Sequence, residues 1–100
     1  MKKKQILYFG KNPEILIVVL RLINQQENWL GLGASSEIEV KKSLSENNID
    51  LILFGPGIEE ENEREIRSFL MNVYPAIPII QHYGGGSGLL YAEIWEVLGK

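Results

Sequence analysis

The chain has 100 residues, enough for one domain with its own hydrophobic core. It has no cysteine and one histidine, His82, which excludes disulfides, a thiolate nucleophile and a metal site built from cysteines or several histidines of one chain. Its net charge of −3 argues against general nucleic-acid binding. No apolar run reaches the ~20 residues of a membrane span, and the first apolar segment lacks the features of a signal peptide. We therefore expect a cytoplasmic protein that does not enter a membrane.

The first half of the chain predicts two strands, each followed by a helix. QILYFG, residues 5–10, is almost continuously apolar, as is typical of a strand buried on both faces. Asn12 can cap a helix and Pro13 suits its first turn, so we expect a helix over residues 15–26. WLGLGA, residues 29–34, predicts the second strand. Ser36 and Glu39 have capping-box spacing and predict a helix to about Asn47.

The second half repeats this alternation. IDLILF, residues 49–54, is the clearest strand, and GPG then breaks the chain. The next segment has helical apolar spacing at Ile66, Phe69, Leu70 and Val73, and it ends before Pro75. IPIIQHY, residues 77–83, predicts the fourth strand. A helix over residues 87–98 follows the glycine-rich stretch, and Gly99 is its expected stop.

Four strand–helix units predict an α/β fold in which helices cover both faces of a parallel sheet. Right-handed crossover connections favour the strand order 2-1-3-4. We find no linker, repeat or low-complexity segment, so we interpret residues 1–100 as one (βα)4 domain of three α/β/α layers.

Two long segments resemble the receiver domain of response regulators, which has a flavodoxin-like fold. LGLGASSEIEVKKSLSENNIDLILFGPGI, residues 30–58, is similar to the stretch from the receiver's second strand through its third. REIRSFLMNVYPAIPIIQHYGG, residues 64–85, is similar to its third helix and fourth strand, with the proline before the apolar strand. The resemblance covers residues 4–84 and implies a signalling or regulatory module.

The same resemblance shows what the chain lacks. A receiver holds magnesium with an acidic pair after the first strand, where this chain has Gly10 and Lys11. The phosphorylated aspartate falls at Gly55, and the Ser or Thr after the fourth strand falls at Tyr83. The fifth strand, with its lysine, has no counterpart. Since phosphoryl transfer needs a carboxylate acceptor and a metal, we interpret the chain as a degenerate, shortened receiver that cannot be phosphorylated in the usual way.

A second resemblance is to the enzyme IIB domains of sugar phosphotransferase systems, which are also small four-unit parallel α/β proteins. ILYFG and LILFGPGI are similar to their first and third strands. The phosphorylated cysteine of those domains would fall near Gly10. Because this chain has no cysteine, phosphocarrier chemistry of that kind is excluded.

The carboxyl ends of the strands form the candidate ligand site, because open parallel sheets bind ligands there. Glycines at this edge let backbone approach a ligand, and helix N-termini attract anions. The stretch GGGSG is either an anion cradle or a loop that lets Ser87 cap the last helix, and it matches neither the Walker A nor the dinucleotide pattern. The candidate residues for a small anion are Gly10, Lys11, Asn12, Gly55, Gly57, His82, Gly84, Gly85, Gly86 and Ser87.

We assign no catalytic residue, no metal ligand and no cofactor. His82 could act as a base, but no partner for it is visible in the sequence, and we favour a structural role. The five glutamates that open the third helix point apart and favour its positive end, which predicts a solvated face. They are Glu59, Glu60, Glu61, Glu63 and Glu65.

The last helix, LLYAEIWEVL, is apolar around most of its circumference, which indicates burial or a partner. We expect Leu90, Ile94, Val97 and Leu98 to pack on the sheet. The missing fifth unit leaves the fourth strand at an open edge. The candidate interface residues are Leu89, Tyr91, Trp95, Leu98 and Tyr83.

Two functions follow from these features. The first is a receiver-like, non-phosphorylatable interaction module that forms a homodimer, or binds another signalling protein, through the last helix and the fourth strand. The alternative is a small phosphate- or nucleotide-binding protein or enzyme that uses the glycine loop at residues 84–88.

Overall fold

The computed structural model of the protein describes residues 3–82 and 87–99, with Ser87 described by its backbone alone. Strands and helices alternate along these residues as the sequence predicts. The elements are β1 (Lys4–Phe9), α1 (Pro13–Asn24), β2 (Trp29–Ala34), α2 (Glu37–Glu46), β3 (Leu51–Phe54), α3 (Glu60–Val73), β4 (Ile79–Gln81) and α4 (Ser87–Leu98).

The described strands form one parallel sheet in the order β2-β1-β3-β4, which confirms the predicted order. In its register, Leu7 lies opposite Leu32 on β2 and Ile52 on β3, and Leu53 lies opposite Ile80 on β4. β1 and β3 are therefore central, while β2 and β4 are the two edges.

Two strands are shorter than predicted, and the backbone shows why. β3 begins after Asp50, whose carboxylate accepts a hydrogen bond from the Gln5 amide at 2.8 Å at the amino edge of the sheet. β4 begins at Ile79 because the Ile77 amide turns back to donate to the Tyr74 carbonyl at 3.2 Å.

The central strands are buried on both faces, so their alternate side chains build two cores. Leu7, Phe9, Ile52 and Phe54 pack with α2 and α3 on one face. The opposite core joins the other strand side chains to α1 and α4, through Ile6, Tyr8, Leu51, Leu53, Val19, Ile23, Leu90 and Ile94. The last helix therefore shares a face of the sheet with α1.

Local sequence signals set the helix starts. Asn12 Oδ1 accepts hydrogen bonds from the amides of Glu14 at 2.9 Å and Ile15 at 3.2 Å, and Pro13 is the first residue of α1. Ser36 Oγ accepts from the Glu39 amide at 3.2 Å, which confirms the predicted cap of α2. No helix within the described ranges is long and apolar enough to cross a membrane.

Candidate functional site at the carboxyl ends of the strands

Three of the predicted site residues directly follow three parallel strands, and backbone hydrogen bonds hold them at one edge. Gly10 donates to the carbonyl of Ala34 at 3.1 Å, and Gly55 donates to that of Phe9 at 2.7 Å. His82 donates to the carbonyl of Phe54 at 2.8 Å. The structure therefore brings Gly10, Gly55 and His82 together at the place where α/β sheets bind ligands.

The side chain of Tyr8 fills the space between the two glycines at this edge. A Cβ atom added at Gly55 would overlap the Tyr8 hydroxyl, and one added at Gly10 would lie 2.7 Å from Cε2 of the ring. Tyr8 is buried, and no hydrogen-bond partner for its hydroxyl exists among the described residues. Burial raises the pKa of the Tyr8 phenol above its ordinary value of 10.0. Nothing in the sequence marks this tyrosine, because it lies inside an apolar strand.

The remaining described candidates at this edge have structural tasks of their own. The side chain of Asn12 is used to cap α1, and the Lys11 ammonium lies 5.8 Å from the centroid of the Phe9 ring. Gly57 has a φ of +87°, a left-handed conformation that explains glycine at this turn. Within the described part of the chain, no contact directs the side chains of Asn12 and Lys11 towards a shared centre.

His82 has a partner that the sequence did not indicate. Its Nδ1 lies 2.6 Å from Oε1 of Glu93, and the exposed fractions of the two side chains are 4% and 19%. Glu93 is 11 residues further along the chain, on α4, so it meets His82 only through the fold. Because the imidazole is buried, we interpret the pair as a link between the end of β4 and α4.

The glycine loop falls outside the description of the site. Tyr83, Gly84, Gly85 and Gly86 lie outside the described residues, as does the side chain of Ser87. The anion cradle therefore stays a prediction.

The acidic start of α3 carries ion pairs along the helix. Glu63 Oε2 accepts a hydrogen bond from Arg67 at 3.2 Å, and Glu60 lies 3.6 Å from Arg64. Both pairs have the i, i+4 spacing of neighbours on a helix surface. No group of three metal-ligating side chains exists within residues 3–82 and 87–99.

The described interface candidates on α4 divide into an inner and an outer set. Leu89 is 49% exposed, and Val97, which we expected to pack on the sheet, is 42% exposed. Tyr91 and Trp95 are half-buried, with ring centroids 5.8 and 6.0 Å from that of Trp29. The Tyr91 hydroxyl donates to the Leu22 carbonyl at 3.0 Å.

Part of each of these two aromatic rings packs within the chain and is not available to a partner. The reason is tertiary: α4 lies beside α1, and the Trp29 indole packs against both aromatic side chains. Leu98, half-buried, belongs to the same core.

Comparison with solved structures identifies the architecture. The signal receiver domain of an HD domain-containing protein from Pseudomonas fluorescens Pf-5 superposes with a TM-score of 0.70 at 16% identity, covering 99% of this chain and 71% of that one. TrrA, a response regulator protein of Thermotoga maritima solved with Mg(2+)-BeF, superposes with a TM-score of 0.76 at 14% identity. That match covers 95% of this chain and 99% of TrrA.

The chain has the receiver fold. A response regulator receiver protein from Pseudomonas putida gives the same result, with a TM-score of 0.72 at 13% identity over 98% of this chain and 82% of its own. No protein-family model matches the sequence, and no curated protein matches it significantly. At these identities the comparisons establish the fold, and the site has to be interpreted from its own residues.

Proposed function

We propose that the chain is a receiver-like interaction module of a signalling or regulatory system, which is not phosphorylated and which forms a homodimer through β4 and α4. The observation that carries this proposal is which residues stand at the carboxyl edge of the sheet. In place of carboxylates it has Gly10, Lys11 and Gly55, with the Tyr8 ring between the glycines.

Phosphorylation of a receiver fold at this edge needs a carboxylate nucleophile and a divalent cation held by acidic groups. Gly55 has no side chain to accept a phosphoryl group, and Lys11 adds positive charge beside the place where the cation would be held. Asp50 lies at the opposite, amino edge, where its carboxylate accepts from the Gln5 amide. These features support a module that does not switch between an unphosphorylated and a phosphorylated state.

The edge of β4 supports self-association through backbone pairing. Ile52 donates to the carbonyl of Pro78, and His82 donates to that of Phe54, so residues 78, 80 and 82 direct their backbone groups towards β3. In a parallel ladder the alternate residues, Ile79 and Gln81, direct theirs outwards. Pro78 lacks its N–H on the inner side, so it does not block the outer edge. An extended strand of a second copy can pair there.

The opposite edge of the sheet is protected, which makes β4 the favoured one. On β2, Gly31 is an outward-facing residue, because its neighbours bond to β1 in the observed register. The Gly31 amide donates to Oδ1 of Asn24 at 2.9 Å, so a side chain of the same molecule already occupies that donor. Proteins commonly guard free edges in this way.

The outer surface of α4 extends the proposed interface. Leu89 and Val97 are exposed, while Tyr91, Trp95 and Leu98 are half-buried and offer the remaining part of their surface. The internal contacts of Tyr91 and Trp95 with Trp29 hold these rings in place, so they would meet a partner at a small cost in entropy. Tyr83 is included in the proposed interface on the basis of the sequence alone.

The test is the solution mass, measured by size-exclusion chromatography with light scattering over a range of concentrations. We expect the wild type to dimerise and Gln81→Pro to be monomeric, because proline removes an outward N–H for which the described residues of the monomer supply no acceptor. Gln81→Ala is the matched control: it also loses the side-chain hydrogen bond to Phe54, but it keeps the N–H and should dimerise.

A monomeric wild type at all concentrations would contradict self-association. The second half of the proposal has its own measurement: incubation with acetyl phosphate and Mg²⁺ should leave the intact mass unchanged. A stoichiometric gain of one phosphoryl group would contradict it. Binding of inorganic phosphate or nucleotides, seen as a thermal shift, would instead favour the alternative of a ligand site around Lys11 and the glycine loop.

A further inference from the structure

We infer that Tyr8, Gly10 and Gly55 form one interdependent steric unit, in which the tyrosine ring occupies the place where the receiver fold would carry its acidic centre. This inference rests on the proposed function and deepens it. It states that the centre is closed by a side chain, so that an aspartate at residue 55 could not restore it.

Gly10 and Gly55 are required because a side chain would not fit there, not because of their backbone conformation. The described residues with positive φ are Gly57 and Gly99, so neither Gly10 nor Gly55 needs glycine for its backbone conformation. What distinguishes them is contact with one ring: the nearest atoms to a Cβ at either position all belong to Tyr8. At Gly55 the nearest atom is the hydroxyl oxygen, and at Gly10 it is a ring carbon.

The register of the strands explains why one ring reaches both glycines. Tyr8 lies opposite Leu53, which comes two residues before Gly55, and Tyr8 itself comes two residues before Gly10, which directly follows β1. Side chains at these spacings share one face of the sheet, so the ring passes over both glycines. The ring packs in the core between the sheet and the α1 and α4 helices, and the hydroxyl is left at the carboxyl edge.

The buried Tyr8 hydroxyl has an energetic cost, and it also excludes other groups from the place that it occupies. A phenolic oxygen without a partner among the described residues is unfavourable, so the ring is retained for its volume rather than for a hydrogen bond. A carboxylate at residue 55 would begin with a Cβ that already overlaps this oxygen. The unit therefore excludes both a phosphoacceptor side chain and a phosphoryl group at this place.

A double-mutant cycle tests the unit. Gly55→Ala is made in the wild type and in a Tyr8→Leu background, and unfolding by urea is measured for all four proteins. We expect Gly55→Ala to reduce the folding equilibrium constant at least about tenfold more in the wild type than in the Tyr8→Leu background. Equal losses in both backgrounds would overturn the inference.

Two further variants keep the test decisive if Tyr8→Leu does not fold. Tyr8→Phe removes the atom nearest to residue 55 and retains the ring, so Gly55→Ala should be partly tolerated in that background. Gly88→Ala is the control glycine, since nothing lies within 4 Å of a Cβ added there. It should not reduce stability, and a loss equal to that of Gly55→Ala would contradict a local steric cause.

The cycle separates this inference from the proposed function. A monomeric wild type would remove the case for self-association and leave the coupling between Tyr8 and Gly55 intact. A second readout uses Mg²⁺ with beryllofluoride as the probe and records amide chemical shifts of the wild type. We expect no change at residues 8–12 and 53–57, and a saturable change there would show that the centre is open.

Discussion

At the scale of single residues, Tyr8 shows how a polar atom is tolerated inside a core. The side chain is buried in the core that also contains Ile6, Leu51 and Leu53, yet its hydroxyl has no partner among the described residues. Burial raises the pKa of this phenol, since the charged form is disfavoured away from water. The hydroxyl should therefore contribute little stability at neutral pH and should become a liability at high pH.

We predict that Tyr8→Phe is neutral or stabilising by up to about 1 kcal/mol at pH 7, because it removes a buried hydroxyl that has no partner among the described residues. The phenol ionises more easily in the unfolded chain than in the folded one, so it causes no pH-dependent loss of stability below the unfolded pKa of 10.0, and stability falls as pH rises through the higher folded pKa. Urea unfolding measured up to about pH 11 should show a smaller alkaline loss in Tyr8→Phe than in the wild type. An identical pH dependence would contradict this.

At the scale of elements, capping explains where α1 begins. The Asn12 side chain satisfies two amides of the first turn, and Pro13 follows it with a favourable fixed φ. Both residues are exposed, so this start depends on local chemistry and not on packing.

We predict that Asn12→Ala lowers the free energy of unfolding by about 1 kcal/mol, within the usual range for loss of an N-cap. The measurement is urea unfolding of the two proteins at pH 7. Asn72→Ala, at an exposed position inside α3, is the control and should be neutral or slightly stabilising, since alanine favours helix. Equal effects at the two positions would show that the cap contributes nothing.

At the scale of the whole molecule, the position of α4 decides the architecture. Its buried residues Leu90 and Ile94 pack in the core that α1 shares. Polar contacts then fix it at two places, where Glu93 meets His82 after β4 and the Tyr91 hydroxyl meets the Leu22 carbonyl in α1. Through these contacts, α4 connects the end of β4 with α1, which is distant from it in the sequence.

We predict that Glu93→Ala lowers the free energy of unfolding by about 1–3 kcal/mol, because it removes a short, largely buried hydrogen bond and leaves the imidazole without its partner. Glu96→Ala is the matched control on the exposed side of the same helix and should change stability by less than about 0.5 kcal/mol. Urea unfolding of the two variants decides the matter. Similar losses of stability in the two variants would mean that the hydrogen bond between Glu93 and His82 contributes no more than an exposed glutamate does.

The alternation of strands and helices could be predicted from local sequence patterns, and the strand order from the rule that crossover connections are right-handed. The segment IDLILF, residues 49–54, predicts a strand, of which the structure forms Leu51–Phe54, and Asn12 and Ser36 mark helix starts that the structure confirms. The gathering of Gly10, Gly55 and His82 at one edge followed from the parallel topology, since each residue comes directly after a strand.

The remaining features were decided by the tertiary structure, because they join side chains that no spacing rule connects. The partner of His82 lies on a helix whose placement depends on the whole core, and the half-buried state of Tyr91 and Trp95 depends on Trp29. By itself, the sequence determined that Gly10, Lys11 and Gly55 stand at the positions where the resemblance to a receiver implies acidic residues. Only the fold decided that the ring of Tyr8 fills that place, since the contact depends on the register of β1 against β3.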